Sequence, residues 1–151
     1  MEFSNFVPRS THRVHDRTSA KVNRDIEEQM RADVTRVARL GPHAIDNRIM
    51  ELEREWDIER AVETGASLQV LLGLMLGAFV NKRFFAWSGF VACFLLLHSI
   101  QGWCPPVPML RRLGFRTPAE IEDEINALRL IRGDLRPTDN IDEAIARARL
   151  N

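Results

Sequence analysis

Apolar residues recur along the first third of the chain with the period of an amphipathic helix. Between residues 19 and 40 they are spaced by three and four positions: Val22, Ile26, Met30, Val34 and Val37. Such spacing places them in one stripe on a single helix face. Gly41 and Pro42 then predict a boundary, because glycine commonly ends a helix and proline suits the first turn of the next.

A second apolar stripe follows on a segment that is otherwise rich in charge. Its members are Ile45, Ile49, Leu52 and Trp56. No helix breaker separates it from the apolar block that begins at Ala66, so the sequence predicts one helix running into that block. The acidic residues between the stripe positions alternate with Arg54 and Arg60. This spacing favours local ion pairs on a solvated face over a metal site.

The middle of the chain is apolar on every side. The sequence predicts two helices, over residues 63–80 and 84–103, joined by a tight turn at Asn81-Lys82-Arg83. The second apolar run, from Phe84 to Ile100, would be about 26 Å long as a helix, against a bilayer core of about 30 Å. A helix in a small soluble protein keeps one polar face. The pattern therefore predicts a transmembrane helical hairpin, with a soluble bundle of four or five helices as the alternative.

Small residues indicate where the two apolar helices come into close contact. Gly73 and Gly77 form a GxxxG motif on the first, and Ala86, Gly89 and Cys93 share one face of the second. Small side chains let helices approach closely in lipid. The motif is compatible with packing inside the hairpin and with a homodimer interface, and both interpretations remain open at this stage.

The charged residues predict on which side of the membrane the termini lie, and they do not suggest nucleic acid as a partner. The chain has 21 basic and 21 acidic residues, which gives no indication of nucleic-acid binding. Three arginines precede the first apolar helix and three follow the second: Arg48, Arg54, Arg60, Arg111, Arg112 and Arg116. The turn has only Lys82 and Arg83. Because basic residues favour the cytoplasmic side, both termini are expected in the cytoplasm. The first 25 residues contain no apolar run typical of a cleavable signal peptide.

The segment after the second apolar helix is typical of a membrane exit. Trp103 is expected at the interface, with Arg111 and Arg112 as cationic anchors. The prolines that follow Cys104 end the helix. His98 and Gln101 are polar residues near the end of the span, and such residues are functional candidates as well as packing residues.

Cys104 is the one weak candidate for chemistry. A thiol near arginines can have a lowered pKa and act as a nucleophile or sulfur acceptor. No base at a meaningful spacing, CxxC partner, phosphate loop or catalytic triad accompanies it. The sequence therefore predicts a protein that is not an enzyme and that has no cofactor or metal.

The two ends of the chain complete the predicted organisation. Residues 1–18 are interpreted as a mobile tail, residues 19–62 as an amphipathic helical arm, and residues 104–151 as cytoplasmic helices. Thr117 with Pro118 and Glu120 predicts a capped helix start. Four residues line its apolar face: Ile121, Ile125, Leu128 and Ile131. A last short helix is expected from Asn140.

Several stretches resemble a known family. They are "ELEREWDIERAVE" before the apolar block, and "HSIQGWCPPVPMLRRLGFRTPAEIEDE" and "ALRLIRGD" after it. They are similar to an uncharacterised bacterial inner-membrane family related to the membrane domain of YgaP. The likeness covers roughly residues 20–134 and implies a homodimeric two-helix hairpin with cytoplasmic termini. Charged helices stand where YgaP has its rhodanese domain, so the resemblance does not transfer sulfur-transfer activity.

Together these observations predict a multi-pass protein of the bacterial inner membrane. Its expected role is that of a homodimeric scaffold or an accessory subunit of a larger membrane complex. The lipid bilayer and a second copy or a larger assembly are its expected partners. The alternative is a membrane-anchored thiol protein that handles sulfur or redox equivalents through Cys104.

Overall fold

The computed structural model describes residues 11–134, which form seven helices and no strand. The helices are α1 (Arg13–Asp16), α2 (Ala20–Leu40), α3 (Pro42–Leu52), α4 (Ile58–Phe79), α5 (Phe84–Gln101), α6 (Val107–Arg112) and α7 (Pro118–Arg132). The predicted all-helical class is confirmed for this part of the chain. The helix expected from Asn140 lies outside the described residues.

Helix α2 begins and ends where the sequence predicts, and α3 begins at the predicted position. The side chain of Ser19 caps α2 by accepting a hydrogen bond from the backbone N–H of Val22. Gly41 separates α2 from α3, and Pro42 is the first residue of α3. Ile26 and Val37, two members of the predicted stripe, are buried.

The predicted continuous helix through Trp56 is wrong, because the chain leaves the helical path after Leu52. Residues 53–57 form a connection in which Trp56 is 53% exposed. The carboxylate of Asp57 then starts α4 by accepting a hydrogen bond from the backbone N–H of Arg60 at 2.8 Å. The backbone N–H of Ile58 donates to the carbonyl of Arg116 at 2.8 Å. A capping residue and a tertiary hydrogen bond therefore place a new helix start inside the apparent periodicity.

Helices α2, α3 and α7 share one apolar core. Its buried members are Val37, Ile45, Ile49, Leu52, Ile121, Ile125 and Leu128. The predicted start of α7 is confirmed, because Thr117 and Glu120 form both hydrogen bonds of a capping box. Ile131, the last member of its predicted stripe, is half exposed instead. The amphipathic arms on either side of the apolar block therefore cover each other's apolar faces.

Helices α4 and α5 pack against each other and are both long and apolar enough to cross a membrane. The hydroxyl of Ser88 donates to the carbonyl of Val70 at 3.1 Å. α4 starts five residues before the predicted span at 63–80. α5 ends two residues before the predicted limit at Trp103, because Gly102 adopts a left-handed conformation that ends the helix.

The segment predicted as a mobile tail contains an ordered turn. Residues Arg13–Asp16 form α1, and Val14 is only 1% exposed. It belongs to a second apolar cluster with Ile58, Val62, Cys104 and Val107. Through this cluster the N-terminal turn packs against the base of the α4–α5 pair, by which we mean the start of α4 and the end of α5. The turn also packs against the segment after α5. Residues 1–10 lie outside the described part.

Candidate functional site at the base of the helix pair

The small residues of the apolar helices separate into two groups. A Cβ atom on Gly73 would lie 2.3 Å from the hydroxyl oxygen of Ser88, and one on Gly77 would lie 2.8 Å from the ring of Phe85. These glycines therefore let α4 and α5 approach closely. On α5, Ala86 and Cys93 are exposed and a Cβ on Gly89 would meet nothing within 4 Å, so these predicted packing residues face outward in one chain.

Arg111 is buried, contrary to its predicted role as an exposed lipid anchor. Its guanidinium donates two hydrogen bonds to the carboxylate of Glu120, at 2.6 and 2.7 Å. It also donates to the carbonyl of Phe115 at 3.1 Å and to the side chain of Asn23 at 3.0 Å. The planar fork of arginine suits such bidentate pairing. Arg111 therefore joins α2, α6 and α7 from the inside.

The electrostatics of this pair are set by its hydrogen bonds. Burial alone would raise the pKa of Glu120. The hydrogen bonds from Arg111 and from the backbone N–H of Thr117, together with the positive charge of Arg111, outweigh it and lower that pKa below its ordinary value. Glu120 is thus a carboxylate that stays ionised, which suits a structural ion pair.

A second arginine, Arg116, links residues 53–57, between α3 and α4, to helix α7. It donates to Glu55 at 2.8 Å and forms an ion pair with the fully buried Glu124. Arg48 of α3 donates to the same Glu124 at 2.9 Å. The sequence predicts local ion pairs on a solvated face. Glu51 does form one, with Arg48 at 3.4 Å, but the pairs of Glu55 and Glu124 link distant parts of the chain. Hydrogen bonds to both carboxylates help to raise the pKa of Arg116 against the opposing effect of burial.

The other predicted interface residues remain accessible. Trp103 is partly exposed, and its ring lies 6.3 Å from that of Phe94. Arg112 is exposed beside the buried Arg111, and Gln101 is partly buried. Of the two predicted cationic anchors, only Arg112 has an exposed side chain.

A partly buried polar cluster lies at the start of α4 and the end of α5. His98, in the last turn of α5, is 1% exposed, and its Nε2 atom lies 3.8 Å from a carboxylate oxygen of Glu59. The same Glu59 carboxylate forms an ion pair with Arg13 of α1. Within residues 11–134, neither ring nitrogen of His98 has a hydrogen-bond partner.

Gly102 allows the N-terminal turn to reach this cluster. Its φ of 70° is in the left-handed region, and a Cβ there would lie 2.5 Å from the backbone carbon of Arg13. Any side chain would therefore push α1 away. Sequence reasoning singled out His98 but not Arg13 or Glu59. The detectable signal for Glu59 is a carboxylate in the first turn of a helix that becomes mostly apolar from Ala66 onward.

Cys104 is 5% exposed, and it lies in the same apolar cluster as Val14. Burial raises the pKa of its thiol, which disfavours the thiolate. The thiol also lines an apolar groove between α4 and α5, together with Gln69 and the aromatic residues Phe90 and Phe94. This environment gives no support to nucleophilic chemistry at Cys104.

The comparisons with known proteins add no relative. No family model, no curated protein and no solved structure matches the chain. The YgaP-like resemblance therefore stays a prediction. Among the described residues, no group of three or more His, Cys, Asp or Glu side chains could hold a metal ion.

Proposed function

We propose that the chain is an integral protein of the bacterial inner membrane, in which α4 and α5 cross the bilayer and both termini lie in the cytoplasm. The observation that carries this proposal is the apolar surface around both helices. Large exposed apolar side chains there include Leu68, Leu71, Leu72, Leu74, Met75, Phe79, Phe85, Trp87, Phe90 and Leu96. Continuous apolar surface of this kind is unfavourable in water and favourable in lipid.

The same observation weighs against the soluble bundle. A core helix of a soluble protein is mostly buried, whereas only 17% of the apolar window of α4 and 11% of that of α5 are buried. The amphipathic helices α2, α3 and α7 pack on each other instead of covering these two. Within residues 11–134 no other helix covers them, which supports a bilayer or another chain as their cover.

Within the membrane we propose a homodimeric scaffold or an accessory subunit of a larger assembly. The outward face of α5, with Ala86, Gly89 and Cys93, supports a contact with another helix, because small residues permit close approach in lipid. The core of α2, α3 and α7 buries most of its apolar stripes, with Trp56 and Ile131 as exceptions. The two membrane helices therefore carry the most uncovered apolar surface.

The first test is the behaviour of the protein in its native membrane. A membrane protein is expected to sediment with membranes and to resist carbonate extraction, whereas recovery in the soluble fraction would overturn the proposal.

Native mass spectrometry after gentle purification then tests the role. A dimer mass or stoichiometric companion proteins are expected. A monomer without companions would contradict both the scaffold and the accessory subunit.

The thiol alternative is tested on the same sample. An unmodified Cys104, with unchanged behaviour of the Cys104→Ser variant, is the expected result. A persulfide mass increment on Cys104 would favour the alternative.

A further inference from the structure

The imidazole of His98 is the least satisfied polar group at the base of the helix pair. It is 1% exposed, and neither ring nitrogen has a hydrogen-bond partner among residues 11–134. Buried polar groups in proteins are nearly always hydrogen-bonded, since burying one without a partner costs free energy. The cost points to another state in which His98 does have a partner.

One carboxylate lies within reach of this imidazole and is already occupied. Glu59 of α4 is 3.8 Å from Nε2 of His98, but it forms its ion pair with Arg13 of α1. The charged groups that act on His98 are Glu59 and Glu63 of α4 and Arg13 of α1. Two side chains, one permanently cationic and one that becomes cationic on protonation, therefore converge on Glu59.

We propose that His98 is a proton-binding site and that Arg13 is the latch it displaces. With a neutral His98, Arg13 holds Glu59 and the turn α1 is docked. When Nε2 takes a proton from water, the imidazolium pairs with the carboxylate of Glu59, and Arg13 is released. The proton is the only species gained.

The direction of the pH dependence follows from this competition. The proton binds better to the state in which Arg13 has left Glu59, because a cation beside a second cation is repelled. Acidification therefore populates the released state, and the equilibrium shifts by at most tenfold per pH unit because a single proton is taken up.

The consequence of release concerns the apolar cluster under α1. Val14 is 1% exposed and belongs to the same cluster as Cys104, Ile58 and Val62. When the turn detaches, Val14 leaves this cluster. The latch therefore couples the protonation of His98 to access to a buried thiol.

Hydrogen exchange of the full-length protein in mild detergent tests the latch directly. The backbone N–H groups of Asp16, Arg17 and Thr18 donate to carbonyls within the turn, so their protection reports docking. After correction for intrinsic exchange, their exchange is expected to accelerate by about tenfold between pH 7.5 and 5.5, within the limit set by one proton.

Three variants identify the side chains that cause the acceleration of exchange. His98→Gln is expected to remove the acceleration and His15→Gln, on the exposed side of the same turn, to retain it. Arg13→Gln is expected to give fast exchange at both pH values. Equal protection of the wild type at both pH values would overturn the proposal. The same acceleration in His98→Gln would also overturn it, because protonation of Glu59 itself would then be the cause. A ring ¹⁵N signal of His98 that does not titrate in this range would contradict it independently of folding.

Discussion

Two adjacent arginines illustrate what a residue's environment adds to its identity. Arg111 and Arg112 are equivalent in the sequence, and both are predicted to be membrane anchors. In the structure, Arg111 is buried against Glu120 and Asn23, and Arg112 is exposed. The sequence gives no basis for this distinction, because it depends on which side of the short helix α6 faces α2 and α7.

Replacing each arginine by methionine separates the two roles. Arg111→Met is expected to lower the free energy of unfolding by about 3 kcal/mol, because it leaves the Glu120 carboxylate without its cation in a mostly buried site. Arg112→Met is expected to change it by less than about 0.5 kcal/mol, as for most surface substitutions. Denaturant unfolding followed by circular dichroism measures both. An equal loss in the two variants would contradict the assignment of Arg111 as a structural residue.

Acid sensitivity at the same pair has a defined sign. The pKa of Glu120 is lowered in the folded state. Its contribution to stability is therefore complete above the ordinary carboxyl pKa and is lost as pH falls through the lower folded-state value. Glu120→Gln keeps the capping-box function but removes the charge. We expect the variant to be less stable at pH 7, with the difference from wild type shrinking on acidification. A difference in unfolding midpoint that is constant down to pH 3 would contradict this.

At the scale of elements, local chemistry predicts helix ends better than periodicity does. Gly41-Pro42 and the Thr117 capping box act where the sequence places them. The spacing does not predict the break after Leu52, because the three-four pattern continues to Trp56. Asp57, which caps α4, is the residue that marks it.

The candidate site was predictable only in part. His98 and Cys104 stand out in the sequence because they are polar or reactive residues next to an apolar run. The contact of His98 with Glu59, and that of Glu59 with Arg13, depend on α1 returning to the end of α5. The position of Cys104 beside Val14 depends on the same return. That is a long-range contact, and neither propensity nor spacing encodes it.

Contact between α4 and α5 is tested with two glycines. Gly73→Ala is expected to destabilise the helix pair by about 1–3 kcal/mol, the usual cost of overpacking. Its Cβ would displace the Ser88 hydroxyl from its hydrogen bond to Val70, and it would lie 3.3 Å from the backbone oxygen of Phe84. Gly89→Ala has open space and is the matched control. Thermal unfolding in one detergent compares them. A larger loss for Gly89→Ala, in a sample shown to be monomeric, would contradict the described packing.

At the scale of the whole molecule, polar contacts help to hold two groups of helices together. One is the core of α2, α3 and α7, and the other is the pair of α4 and α5. Glu55, in the connection between α3 and α4, is bound by Arg116, whose carbonyl also accepts the first N–H of α4. Arg116 also reaches Glu124 of α7. One side chain thus contacts the connection and the three-helix core, while its backbone contacts the start of an apolar helix. This arrangement predicts that the relative position of the two groups depends on Arg116.

Arg116→Gln is therefore expected to make the position of α4 and α5 relative to α2, α3 and α7 more variable, without unfolding either group. Spin labels at Met50 of α3 and Leu96 of α5, both exposed positions, are expected to give a narrow distance distribution in the parent protein lacking native cysteines. The variant should broaden it, because Glu55 loses its partner and Glu124 keeps only Arg48. Arg132→Gln is the control: Arg132 forms surface ion pairs with Asp46 and Asp134, and such pairs contribute at most about 1 kcal/mol. Equal widths of the distance distribution in Arg116→Gln and the parent would contradict this prediction. The apolar cluster around Val14 would then fix the relative position of the two groups without Arg116.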